Sequence, residues 1–161
     1  MPPEFSNLYA FTLSVAESLM RDVTDEELSH QPAAGVNTPA WILGHLAICT
    51  DSALTLLGEP RRLPDDWHNG FGRGSDPSSP DLPEVTKQEL MTALREGHAA
   101  VAAALPGADP AALAAPNPLS ILARALPTKR DLLAHLLTTH EAMHLGHLSN
   151  WRRQMGRPPL F

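Results

Sequence analysis

TKRDLLAHLLTTHEAMHLGHLSNWRRQMG, residues 128 to 156, decides the fold. A helix is expected to begin at Thr128 and to continue to about Met155, where Gly156 and Pro158 stop it. At about 100° of rotation per residue, Leu133, Leu136 and Leu137 lead into His140, His144 and His147, then Trp151, along one face. A stripe that begins in leucine and continues in imidazole predicts a core helix with a purpose beyond packing. Three titratable rings cost stability where leucine would pack, unless their ring nitrogens have partners.

The rest of the chain repeats the helical pattern. A first helix is expected from about Pro3 to Arg21, burying Phe5, Leu8, Thr12, Val15, Ala16 and Leu19, with a short polar helix at 25–29 behind it. Thr38 and Pro39 open a second helix that Gly58 closes; its stripe is Trp41, Ile42, His45, Ile48, Cys49, Ser52 and Leu56. Residues 59–85 hold five prolines and three glycines in 27 positions, which rules out one regular helix there. Thr86 and Glu89 form a capping-box pattern for a third long helix, to about Leu105, with Leu90, Leu94, Val101 and Leu105 inward. The connection 106–127 is expected to carry a short helix at 119–126. No segment alternates as a half-buried strand does, so the fold class is all-α, a four-helix bundle forming one domain over 1–161.

Composition narrows the function. Twelve basic against 18 acidic residues give a net charge of −6, which disfavours a phosphate-backbone partner. The single cysteine, Cys49, forms no intramolecular disulfide and fits a reducing compartment, so a cytoplasmic location is expected. The N-terminal stretch lacks the basic region of a secretory signal and no apolar run reaches the roughly 20 residues of a membrane span, so no membrane partner is expected. Arg152, Arg153 and Arg157 gather at a helix end, where positive charge suits the helix dipole.

The eight histidines carry the chemistry. Side chains at i and i+4 on a helix stand about 6 Å apart, so His140 and His144 can occupy adjacent positions on one ion. His45, central on another apolar stripe, is the third candidate, because bundle metal sites are built from facing helices. His147 is open to two roles, a fourth ligand or a hydrogen-bonding neighbour of the ligands. Glu141 can orient a ligand, act as a base or form a surface ion pair. Cys49 can approach the ion or simply fill the core. His98 sits on a flank, and His135 points about 140° away from His140. Trp41, Cys49, Trp67, His68, Phe71 and Trp151 are the candidate pocket residues, with the Trp67–Phe71 stretch either covering the bundle mouth or packing its own aromatics on the surface.

HEAMH also satisfies H-E-x-x-H, the zinc-protease pattern in which the glutamate is a base. The longer form of that pattern needs Gly at 147 and His at 150; this chain has His147 and Asn150, and nothing beyond His147 is His, Asp, Glu or Cys. A zinc protease is therefore the weaker reading.

The segments Pro39-Ala-Trp-Ile-Leu-Gly-His45-Leu-Ala, His140-Glu-Ala-Met-His144-Leu-Gly-His-Leu and Trp151-Arg-Arg-Gln-Met-Gly156 resemble the DinB-like (YfiT-type) metal-binding family of four-helix bundles. One departure stands out: His147 occupies a position where the family usually has glutamine. The resemblance implies an up-up-down-down bundle with long crossovers, and a three-histidine site at its mouth carrying Zn or Ni. It also implies a possible homodimer and a small-molecule substrate. Some relatives are thiol-dependent S-transferases or isomerases using a low-molecular-weight thiol, so a metal-dependent transferase or hydrolase is expected here, thiol S-transfer ahead of hydrolysis, with a non-catalytic metal-binding or stress-related protein as the alternative.

Overall fold

The computed structural model describes residues 3–160. Four long helices form the bundle: α1 (Pro3–Met20), α2 (Pro39–Leu57), α4 (Lys87–Ala104) and a last helix made of α6 (Lys129–His135), a π turn (Leu136–His140) and α7 (Glu141–Gln154). Two short helices lie in the connections, α3 (Asp65–Gly70) and α5 (Pro110–Leu113). Among the described residues there is no strand, only an isolated bridge between Pro116 and Thr128.

The helix ends follow local chemistry. The Thr38 hydroxyl accepts from the Trp41 N–H with Pro39 behind it, and Gly58 closes α2 at φ 89°, a left-handed conformation that a side chain disfavours. Thr86 with Glu89 and Thr128 with Asp131 form reciprocal caps on α4 and α6. The expected helix at 119–126 is a series of turns, whereas Asp109 caps and Pro110 starts the unforeseen α5. The polar helix at 25–29 is one 3₁₀ turn, Asp25–Glu27.

α2 is the central helix, buried on nearly every side. It is long and apolar enough to span a membrane by length and composition, yet most of it is covered by the other helices. On α1 the buried face runs through Tyr9, Thr12, Ala16, Leu19 and Met20. It is turned by one residue from the expected stripe, leaving Leu8 and Phe11 more than half exposed. Ser52, expected on the α2 stripe, is exposed as well.

Cross-helix pairs set the direction of each helix. Tyr9 stacks on His98 and Glu17 pairs with Arg95, so α1 and α4 are antiparallel. Thr12 meets Glu141 while Leu19 and Asp22 meet Arg152, so α1 runs parallel to the last helix. Trp41 lies beside His144, and Cys49 faces Leu136 and Leu137, so α2 opposes the last helix. Thr50 seats against Gly97, and Leu54 lies beside Ala100 and Ala104 further along, so α2 parallels α4. The order is up-down-down-up rather than up-up-down-down. Only the α2–α4 link must return the full length of the bundle, and residues 58–86 are long enough to do so.

Candidate metal centre

His45 is 7% exposed and lies with its ring flat against Trp41, centres 4.7 Å apart at 7°. Its Nδ1 is 2.7 Å from the Phe71 carbonyl oxygen. A carbonyl only accepts, so Nδ1 carries the proton and the Nε2 lone pair is left free. Burial pushes the imidazole below its usual pKa, partly opposed by that carbonyl.

His140 and His144 face His45 from the last helix. Ring centres lie 4.6 Å apart for His140–His144, 4.7 Å for His45–His144 and 5.3 Å for His45–His140. Imidazoles sharing one tetrahedral ion at the usual metal–nitrogen distance have ring centres about 5 Å apart. The Nδ1 atoms of His140 and His144 are buried without a hydrogen-bond partner, a costly state for a polar atom. Burial first, and neighbouring imidazoles second, lower His140 to about 4 and His144 to about 3, so both rings are neutral at pH 7, the state a metal ligand requires. The ring spacing therefore fits imidazoles gathered about one divalent ion, although among the described residues the ligand atoms that converge within 4.8 Å belong to His45, His140 and Cys49, and His144 stands outside that group.

Cys49 lies against the imidazoles rather than only filling the core. Its Sγ is 3.7 Å from His45 Nε2, and one ligand atom each from His45, Cys49 and His140 fall within 4.8 Å of one another. Burial pushes the thiol up to about 12, so without a cation it stays protonated.

Five of the candidates sit differently from expectation. His147 is exposed, and its ring meets His144 edge-on at 5.5 Å. The buried face of α7 is centred on Glu141, Leu145, Leu148 and Arg152, which puts His140 and His147 on its rim. Trp151 is fully buried, with Nε1–H donating to the His30 carbonyl at 2.8 Å, and is part of the core rather than a pocket wall. Glu141 is neither a surface partner nor free to act as a base: Oε1 is 2.6 Å from His98 Nε2 and Oε2 is 2.6 Å from the Thr12 hydroxyl. His98, on α4, is thereby a buried partner stacked on Tyr9 at 3.7 Å, not a flank residue.

His135 is the fifth. Its ring lies 5.4 Å from that of His140, although α-helical geometry would turn it away. The π turn between them hydrogen-bonds i to i+5 and so aligns positions five apart, and such turns collect at functional sites. Trp67 and Phe71 meet edge-on at 5.5 Å, with Phe71 fully buried and its carbonyl on His45; His68 Nε2 reaches Asp51 at 3.1 Å. The Trp67–Phe71 stretch thus supports the centre from the α2 side. The basic cluster is also engaged: Arg152 pairs with Asp22 and Arg157 with Glu27.

The sequence profile of the DinB superfamily matches residues 8–148. The chain belongs to the DinB superfamily. A solved structure with a similar fold is YfiT from Bacillus subtilis, described as "a probable metal-dependent hydrolase with an unusual four-helix bundle topology". It is 18% identical with a TM-score of 0.66, covering 97% of this chain and 88% of that one. No protein of curated function matches. In this DinB-superfamily chain, the strand-lined cleft of a zinc protease is absent among the described residues.

Proposed function

We propose that this DinB-superfamily protein is a divalent-metal-dependent enzyme, its zinc or nickel ion held by His45, His140 and His144, and that its reaction is hydrolysis of a small molecule. The observation that carries the reading is the convergence of three neutral imidazoles from two facing helices, two of them with buried, unpartnered nitrogens. A divalent ion on three neutral ligands keeps its positive charge and an open position, and makes a bound water or thiol acidic enough to act as a nucleophile near neutral pH. The description of YfiT as a metal-dependent hydrolase agrees in class.

The chain's own residues supply orientation and shielding. The Phe71 carbonyl fixes the His45 tautomer that offers Nε2. Trp41 covers one side of that ring, its indole N–H held by the Ser75 hydroxyl at 2.8 Å. His147, on the exposed rim, lines the approach from solvent. Glu141, with both oxygens engaged, holds α1, α4 and α7 together.

Metal analysis of the purified protein is expected to find about one zinc or nickel per chain, largely lost in His45→Ala and His140→Ala. A hydrolase panel run beside thiol-dependent assays on electrophiles then separates the outcomes. Ester, amide or phosphoester turnover supports the proposal. Turnover only with an added low-molecular-weight thiol assigns S-transfer instead, and a loaded protein inert in both panels is a non-catalytic metal binder. A wild type that takes up no metal, or a His45→Ala variant that keeps it, refutes the site.

A further inference from the structure

Asp51, on α2 six residues beyond His45, is completely buried. Its Oδ2 accepts three hydrogen bonds from the connection that crosses over α2: Arg62 N–H at 3.0 Å, Leu63 N–H at 2.8 Å and His68 Nε2–H at 3.1 Å. Its other oxygen, Oδ1, is buried with no partner. A carboxylate with one unpaired oxygen is a poor means of stabilising a helical core, since desolvation consumes much of what its bonds contribute. It is an effective means of gathering three donors at one point.

What is gathered there is the start of α3 and the middle of it. At six residues α3 is too short to hold itself, and Pro64 at its N-cap gives it no side-chain bond. Its order comes from anchors. Asp51 holds 62, 63 and 68; the Phe71 N–H then bonds the Trp67 carbonyl at 2.8 Å, and the Phe71 ring lies directly on Gly44, where any Cβ would overlap it. That placement sets the Phe71 carbonyl 2.7 Å from His45 Nδ1. Beyond it, Trp41 and Ser75 hold the far end. The strap is hydrogen-bonded to α2 on both sides of His45, and Asp51 makes the bonds on one of them, beside the packing of Leu63 and Trp67 on the core and the Arg62–Glu96 ion pair.

We infer that Asp51 is a positioning residue for the metal centre: through Arg62, Leu63 and His68 it holds α3 so that the Phe71 carbonyl keeps His45 in the Nδ1–H tautomer, with Nε2 free for the ion. The inference rests on the three-histidine reading for its metal consequence, and on His45 alone for its tautomer consequence. Removing a direct hydrogen-bond partner of a metal-ligating histidine typically weakens metal binding about 10- to 100-fold, so an anchor one step removed is expected at about the lower limit, tenfold.

The test uses the full chain with ¹⁵N-labelled histidine. In the metal-free wild type, the His45 Nδ1–H gives a resonance protected from exchange with water. In Asp51→Ala that protection is lost, and zinc affinity, measured by competition with a chromophoric chelator well below the unfolding temperature, falls about tenfold. Asp51→Asn keeps an oxygen for the Arg62 and Leu63 N–H groups and is expected to recover most of both. His68→Ala removes one anchor of three and is expected to speed exchange with a loss of about threefold. A folded Asp51→Ala with unchanged protection and affinity overturns the inference. Should that variant not fold, unchanged protection and affinity in His68→Ala overturns it instead. A wild type that binds no zinc defeats the metal reading, while the exchange measurement still decides the role of Asp51.

Discussion

Acidifying the metal-free protein from pH 7 to pH 5 should cost stability that a variant lacking two of the three site imidazoles does not lose. His140 and His144 are held down to about 4 and about 3 in the folded chain, chiefly by burial, against an ordinary value of 6.5. In the unfolded chain both titrate near 6.5. Between that value and the folded ones the unfolded state takes up protons that the native state refuses, so stability is full above about pH 6.5 and falls as pH drops. At pH 5 each ring is about 1.5 pH units below its unfolded pKa, which at 1.36 kcal/mol per unit is about 2 kcal/mol each. Part of the His144 shift is repulsion from His140, both shifts also carry repulsion from His45, and water reaches part of His140, so the combined loss is about 2–3 kcal/mol. Urea unfolding followed by circular dichroism, in the presence of a chelator, measures it in the wild type and in His140→Leu/His144→Leu. Carboxylates lowered by their partners, Asp22 and Glu27 among them, titrate alike in both proteins and cancel in the difference. Parallel pH dependences in the two proteins would refute the reasoning, since the rings would then be no more reluctant to charge when folded.

Three further outcomes follow from the packing. Gly97→Ala would drive a Cβ into the Thr50 side chain between α2 and α4; a net loss of about 1–3 kcal/mol, read as a lowered Tm, is expected despite alanine's better helix propensity. Glu141→Ala strips His98 and Thr12 of their shared partner and should cost about 1–3 kcal/mol in urea unfolding. Metal content should persist in that variant, because Glu141 is not a donor; loss of the ion in a folded Glu141→Ala would count against the assignment. Thr38→Ala removes the cap of α2 and should lower stability by about 1 kcal/mol, with no change in metal stoichiometry.

The centre was legible in the sequence only where its cues were local. His140 and His144 announce themselves by i, i+4 spacing beside a leucine stripe, and His45 by its place within an apolar helix. His98 gave no such cue. It became part of the buried cluster because α4 runs antiparallel to α1, which brings its ring onto Tyr9 and its Nε2 to Glu141. Glu141 and His147 were misplaced because the true centre of the buried face on α7 lies one position away from the histidine line. Constant rotation along the last helix failed at one turn, where i to i+5 bonding returned His135 to the side of His140. Asp51 carried no signal, since its three donors come from a connection without periodicity.

By itself the sequence determined the all-α class and the limits of the long helices, and singled out three imidazoles as candidate ligands, because periodicity and capping act within a few residues along the chain. Tertiary structure decided the direction of the helices, the burial of Glu141 and His98, the nearness of Cys49 to His45, and the carbonyl of Phe71 that selects which nitrogen His45 offers. Those depend on groups separated by tens of residues, whose meeting is set by how whole helices pack and by where a connection is pinned, and no local pattern encodes either.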